Sequence, residues 1–318
     1  MDQHAKIEHV GSEPQAAPSS GNGANVGALF TVFISALSFP LTKVALADLP
    51  PLNLAAVRFA VASLLIIPWL VWKRPRLPSR GDAIRFILCG LIGIALYNAL
   101  LNAGQQTVSA SAASFIVNTV PILTALFATF FLDERINRWG WASAGLGFAG
   151  VGIVVAGQPG GFTFGSGPFL IFGSVVAQAA FFVIQKPLVR RYGALASTAY
   201  TILAGALMLS PWMAEGLLTL AAPDTAHSTI LAVVALAALP AVLGYAAWAH
   251  AISQFGAGRS ATFLHLIRPT ATLLAFVISG ETLGVTTLMG GLVAIAGVAL
   301  VSARGQPART SSFRCLSK

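Results

Sequence analysis

Ten long apolar runs, separated by short polar joints, constrain this chain more than any other feature of it. They are Asn25–Ala47, Leu52–Trp72, Ala83–Ala103, Ser109–Leu132, Trp139–Ala156, Gly167–Pro187, Leu195–Leu217, Ile230–Ile252, Gly258–Ser279 and Leu283–Ser302. A membrane-spanning helix needs about 20 mostly apolar residues, and the runs have that length. They are continuous rather than alternating, so they read as helices and not as barrel strands. Charged residues make up 9% of the chain, against roughly 25% in an ordinary soluble domain. A chain so poor in charge cannot cover a water-facing surface. The expected fold class is an all-α integral membrane protein with ten transmembrane helices.

The net charge of +9 invites a nucleic-acid partner, but its distribution argues otherwise. With these spans, 14 of the 19 Lys and Arg fall in the tails or loops of one side or at their edge: Lys6, Lys73, Arg74, Arg76, Arg80, Arg135, Arg138, Arg190, Arg191, Arg259, Arg304, Arg309, Arg314 and Lys318. The opposite loops hold Asp48, Asp224 and Glu281 and no Lys or Arg. This is the positive-inside pattern. It puts both termini in the cytoplasm, and in a bacterium the protein in the inner membrane. Residues 1–24, rich in Ala, Pro, Ser and Gly, are expected to be a disordered cytoplasmic tail. Residues 303–318 form a basic cytoplasmic tail.

The chain is also one unit written twice. Ala113–Pro121 (ASFIVNTVP) returns in outline as Ala261–Pro269 (ATFLHLIRP), and each copy leads through an apolar run to an acid, Glu134 or Glu281. Tyr97, Asn102, Ser114 and Pro121 lie 148 residues before Tyr245, His250, Thr262 and Pro269. Thr31, Ser35, Thr42 and Lys43 lie 143 residues before Ser174, Gln178, Gln185 and Lys186. The first repeat covers residues 25–156, the Gly/Pro-rich segment 157–166 links them, and the second covers 167–302. Each has five spans, an odd number, so the second must enter the membrane upside down. Inverted five-helix repeats are a common construction of secondary transporters, with the substrate site near the midplane between halves.

These residues carry a resemblance. The two five-span repeats, Ser38–Leu46 (SFPLTKVAL) closing the first span, Pro121 followed by Asp133-Glu134-Arg135, and Pro269 followed by Gly280-Glu281 resemble the EamA-type family of the drug/metabolite transporter superfamily over Asn25–Ser302. The resemblance implies a ten-helix bundle in which spans 1, 3, 4, 6, 8 and 9 surround a central cavity. It implies transport of small organic metabolites, often amino acids and related compounds, with export the favoured direction. Two positions depart from the family pattern. Ala36-Leu37 stands where Trp-Gly is frequent, and Arg268 stands before the second-half proline, where an acid is common.

Arg268 is the leading candidate for substrate binding. It lies about ten residues, or roughly 15 Å, into its span. Insertion of an Arg at that depth costs about 2.5–3.5 kcal/mol, and no Asp or Glu occupies a mid-span position. Such a cation faces either an anionic substrate group or backbone carbonyls freed by Pro269. His265 and Thr262 share its helix face at intervals of three. His265, with His250, is the candidate for proton coupling, since imidazole titrates near neutral pH. Further cavity candidates are Ser35 and Ser38 on a polar stripe with Thr31 and Thr42, Gln178 on the matching stripe of span six, and Ser114 with Asn118 in span four. Tyr97, Tyr245 and Trp248 join them, and the latter two share a face that either stacks on a substrate ring or packs. Small hydroxyls also serve as helix–helix glue, so the sequence leaves both uses open. Lys43, Lys186 and Arg58 are expected to snorkel to the membrane interface.

No cofactor or metal is expected. Gly145–Gly150 matches G-x-G-x-x-G but sits inside a span, with no preceding strand and no acid until Glu215. The leading function is a secondary transporter working by alternating access on a small metabolite bearing an anionic group, and not an enzyme. Its partners are that solute and the lipid bilayer. The alternatives are a membrane-embedded enzyme acting on lipid-linked substrates and a passive channel.

Overall fold

Apolar continuity becomes helix throughout the computed structural model, which describes residues 22–131, 138–158, 163–164, 166–244, 267–280 and 284–304. No strand occurs among them. The first part of the chain forms α1 (Asn22–Ala45), α2 (Pro51–Lys73), α3 (Arg80–Cys89), a π-helical segment π1 (Gly90–Leu96), α4 (Tyr97–Gln105), α5 (Ala110–Val117), α6 (Val120–Phe131) and α7 (Arg138–Ala156). The second part forms α8 (Gly167–Tyr192), α9 (Ala194–Leu209), α10 (Met213–Ala221), α11 (His227–Ala238), a second π segment π2 (Leu239–Gly244), α12 (Ile267–Ser279) and α13 (Val285–Arg304). Six stretches among the described residues are helices long and apolar enough to cross a membrane: Pro51–Lys73, Arg80–Gln105, Ala110–Phe131, Gly167–Tyr192, Ala194–Ala221 and His227–Gly244.

Local chemistry sets the helix ends. Pro51 opens α2, where its missing N–H costs nothing. Arg74 closes it in the left-handed region at φ 44°, with its N–H on Leu70 O at 2.9 Å. Ser79 and Ser109 cap α3 and α5 by accepting from the N–H groups of Asp82 and Ala112. Between α8 and α9 a single residue, Gly193, makes the turn at φ 80°, a conformation that a Cβ disfavours. Pro121 removes the donor that Val117 O would otherwise meet. There the helix breaks: Asn118 N–H reaches both Ser114 O and Phe115 O at 3.1 Å, and Thr119 N–H reaches Ile116 O at 3.1 Å.

The helices pack in two groups that each draw on both parts of the chain. In one, α1 packs on α11, π2 and α12, and α2 on α11. In the other, α8 packs on α4, α5, α6 and π1, and α9 on α3 and π1. The groups meet where α2 touches α4, α9 and α10, and where α5 touches α1 and α12. Beside them α7 and α13 form the most extensive pair. A Cβ on Gly290 of α13 would stand 2.5 Å from Gly150 O of α7, and one on Gly147 would stand 2.1 Å from Ile122 Cδ1 of α6. Within the G-x-G-x-x-G of the sequence, Gly147 and Gly150 thus mark close helix contacts of α7, while Gly145 has nothing within 4 Å of an added Cβ.

Large apolar side chains also cover the outside, among them Leu64, Leu65, Val71, Trp72, Phe130, Phe131, Leu207 and Leu231. So contiguous an apolar exterior suits a lipid surround rather than water.

Among the described glycines of the second group, the closest approach to a backbone atom is that of π1 to α9. A Cβ on Gly90 would fall 2.5 Å from Gly205 N, a backbone atom that cannot rotate away. Gly90→Leu is therefore expected to destabilise the bundle by about 1–3 kcal/mol through overpacking, read as a lower melting temperature of the detergent-purified protein. Gly81→Ala, with nothing within 4 Å of its new methyl, is the control expected to melt with the parent.

Candidate functional site

Six of the sequence-predicted site residues have described side chains, and they lie on helices that converge. Ser35 and Ser38 are half-buried on α1. Tyr97 begins α4 and packs, with Phe39 of α1 and Val117 of α5, against a core of Leu101, Phe115, Ile116, Ile171 and Val175. Ser114 is fully buried and donates to Ser111 O at 2.7 Å, so its hydroxyl is engaged by its own helix. Asn118 is 3% exposed in the break between α5 and α6. Gln178 lies on α8 between the core residues Val175 and Ala179, and its buried Oε1 has no hydrogen-bond partner. A buried acceptor left unpaired is costly, which singles out Gln178 within this set.

The rest of the predicted set falls outside the described residues. Thr262, His265, Tyr245, Trp248 and His250 belong to residues 245–266. Arg268 is the second residue of α12, and its side chain is outside the description. α12 packs on α1 through Ile267 and Ala271 against Val32 and Ala36. The backbone at Arg268 therefore runs alongside the helix that carries Ser35 and Ser38.

The polar residues that tie helices together most visibly are ones that sequence reasoning did not place in the site, with Lys43 and Arg58 among them expected at the membrane interface. Lys43 does not simply extend to the interface. Its ammonium donates to Gln105 O at 2.6 Å, Val108 O at 3.2 Å and Gln106 O at 3.3 Å, at the C-terminal end of α4. Gln105, fully buried, donates from Nε2 to Phe39 O at 3.4 Å. Asn102 Nδ2 donates to Pro51 O at 3.0 Å, and Arg58 Nη1 to Asn98 Oδ1 at 3.4 Å. The Arg58 guanidinium also lies 5.2 Å from the centre of the Phe59 ring. The available signal was the spacing of Asn98, Asn102 and Gln105 at four and three, a polar stripe along one face of α4.

A second cluster joins the Arg-rich ends of α3 and α8. Asp82 is 4% exposed. Its carboxylate accepts from Arg191 Nη1 at 3.0 and 3.1 Å, from Tyr192 Oη at 2.9 Å and from Ser79 Oγ at 3.1 Å. Phe86 packs against the rings of Tyr192 and Tyr200 with centres 5.6 and 5.3 Å apart. On the opposite face Asp48 plays a related part: it accepts from Ala226 N–H at 3.1 Å and from Thr229 Oγ1 at the start of α11.

An all-helical bundle with an apolar exterior, broken helices and polar side chains tied inside it defines a multi-pass membrane protein. The EamA-like transporter family model matches residues 23–156 and again 165–303. The chain belongs to that family and is a membrane transporter. It is 30% identical over 267 residues to the uncharacterized transporter YdfC of Bacillus subtilis, a match spanning 83% of this chain and 85% of that protein. It is 30% identical over 280 residues to a probable terminal-alkyne amino-acid exporter of Streptantibioticus cattleyicolor, spanning 87% and 92%. One crystal structure shares its fold with a TM-score of 0.60 at 20% identity, over 90% of this chain and 97% of that one.

The Asp82 cluster works as a unit, so its members are expected to be non-additive. Asp82→Asn and Arg191→Gln should each lower the melting temperature, and the double variant should fall by clearly less than the two single shifts combined. Tyr192→Phe, which removes one donor and keeps the ring, should lower it least.

Proposed function

We propose that this transporter moves a small organic metabolite bearing an anionic group, an amino acid or a related compound, by alternating access between two inverted five-span repeats, and that it works as an exporter. The observation that carries the reading is the agreement between the duplicated sequence and the pattern of helix packing. Number the proposed spans 1 to 10 as α1, α2, α3–α4, α5–α6, α7, α8, α9–α10, α11–π2, α12 and α13. Exchange the first five for the last five, and the main contacts between the halves map onto one another. The packing of α1 on α11 and α12 corresponds to that of α8 on α3–α4 and α5–α6. The contacts of π2 with α1 and α2 correspond to those of π1 with α8 and α9, and the α7–α13 pair maps onto itself.

Details follow the same exchange. π2 begins 149 residues after π1, in register with the repeat to within one residue. Asp48 precedes Arg191 by 143 residues, the interval between Lys43 and Lys186. Their partners Thr229 and Asp82 hold the same third position of α11 and α3. Two copies of one unit related in this way favour a pseudo-two-fold axis in the membrane plane, with solute bound between the halves. π segments are frequent at functional sites, and here one lies in each proposed half, directly before Tyr97 and Tyr245.

In this reading Ser35, Ser38, Tyr97, Ser114, Asn118, Gln178, Tyr245, Trp248 and Thr262 line the path. Arg268 receives the anionic group of the solute, and His265, with His250, carries the coupling proton. Both termini lie in the cytoplasm under the positive-inside rule. The exporter named among the relatives acts, by its name, on an amino acid, which supports the choice of substrate class. A membrane-embedded enzyme would require paired acids or metal ligands at the membrane edge, and the adjacent acids Asp133-Glu134 belong to the family motif and fall outside the described residues.

Counterflow in proteoliposomes tests the reading against a panel of amino acids, organic acids and cationic solutes. The expected result is saturable exchange of a solute with an anionic group, without chemical change. Exchange of purely cationic solutes alone would overturn the assignment of Arg268. With the solute in hand, Arg268→Ala is expected to cut exchange about tenfold or more, as for loss of a charge-assisted hydrogen bond, and Arg268→Lys to cut it less. His265→Gln is expected to flatten the dependence of uptake on an imposed pH gradient while exchange at equal pH persists.

A further inference from the structure

Where the two packing groups meet, an apolar cluster runs along α2 and a set of side-chain ties joins α1 and α2 to α4. Along α2, Ala55, Ala56, Phe59, Ala62 and Ile66 share an apolar cluster with Ile94 and Ala95 of π1 and Ile202 and Leu209 of α9. Toward the Arg-poor end, where α1 stops, polar side chains cross from one group to the other. These are the contacts of Lys43, Gln105, Asn102 and Arg58, and each joins α1 or α2 to α4 or the turn that follows it.

Lys43 is the central one. The last carbonyls of a helix lack intrahelical donors and carry its partial negative charge, so the end of α4 attracts a cation. Lys43 approaches from α1, in the other packing group, and its ammonium closes on carbonyls on both sides of the α4 terminus. It stands three residues after Pro40. The proline ring removes a backbone donor and leaves Ala36 O without its usual partner. α1 thus lacks one internal bond just before the turn that carries Lys43. A flexible four-carbon stem ending in a compact ammonium is suited to leaving and regaining such a seat.

We propose that Lys43 and the C-terminal carbonyls of α4 form a releasable latch that closes the Arg-poor face of the transport path, and that this face opens only when the ammonium leaves the α4 end. The inference rests on the alternating-access reading and adds to it a named gate. Two groups of helices that each mix both halves part at their common boundary. The charged tie lies at the end that the latch closes, while at the Arg-rich end the Tyr200 hydroxyl of α9 makes only longer, neutral bonds to Pro75 O at 3.4 Å and Arg76 O at 3.3 Å after α2.

The test has two arms, both in a background of Cys89→Ala and Cys315→Ser. In the first, Ser38→Cys, half-buried one turn before Thr42, is exposed to a membrane-impermeant charged methanethiosulfonate from the Arg-poor face. Adding Lys43→Met is expected to raise its labelling rate about tenfold, the effect of removing a closing interaction of about 1.4 kcal/mol, and Lys43→Arg to leave it near the background rate. An unchanged rate in folded Lys43→Met overturns the latch. The second arm keeps Lys43, for the case that Lys43→Met does not fold. Ala47→Cys and Gln106→Cys, both exposed beside the latch, are tethered with a short reducible bis-methanethiosulfonate. Tethering is expected to abolish counterflow and reduction to restore it. Full counterflow with the tether complete overturns the proposal. Absence of counterflow in the untethered background as well would count against the carrier reading, while the labelling arm still decides the latch.

Discussion

A backbone carbonyl inside a bilayer has no water to turn to, and leaving it unpaired costs several kcal/mol. Among the described residues this single constraint turns the apolar runs into helix and then governs the places where a helix stops or bends. At the end of α4 the freed carbonyls are met by the Lys43 ammonium. Where Pro121 breaks the path from α5 to α6, Asn118 and Thr119 turn their N–H groups back onto the preceding carbonyls. The Thr119 hydroxyl adds a second donor to Ile116 O at 2.7 Å. Where the chain reverses between α8 and α9, Gly193 allows it in one residue and sends its N–H to Val189 O at 2.9 Å. The end of α4 and the α5–α6 break are thus irregular and polar at once.

The same constraint explains why the two packing groups mix the two halves of the chain. An isolated five-helix unit would leave polar breaks facing lipid on one side. Crossing α8 and α9 onto π1, and α1 and α2 onto π2, places each π segment against helices of the other half. There Gly93 receives the Phe181 ring and Gly205 receives Ile94. The two charged ties at the bundle ends follow the crossing as well. Asp82 binds Arg191 and Tyr192, and Asp48 binds the start of α11, so each joins a helix of one half to the other.

How much was legible in advance differs from residue to residue. The helices around Ser35, Ser38, Gln178 and Ser114 could be read from apolar length and polar spacing, because period 3.6 is a local property. The break at Asn118 was signalled by Pro121. The environments of the same residues were not legible. Ser114 and Gln178 look alike as polar interruptions of apolar helices, yet the hydroxyl of one is engaged by its own backbone while the Oε1 of the other is buried without a partner. A serine is short enough to reach back three residues, and a glutamine must find its partner on another helix. Lys43 shows the same limit. Its position near a helix end suggested a side chain running to the interface, and only the arrival of α4 beside it supplied the carbonyls.

By itself the sequence determined the solvent, the helices and the internal duplication, because all three follow from where charge is absent and where a pattern recurs along one chain. Only the tertiary structure decided which helices of one half lie against which of the other. It also decided which polar groups meet across that boundary: Lys43 with the end of α4, Arg58 with Asn98, Asp82 with Arg191. The physical reason is that a hydrogen bond between residues tens of positions apart depends on packing, and packing is set by shape at glycines, prolines and helix breaks that no local spacing records.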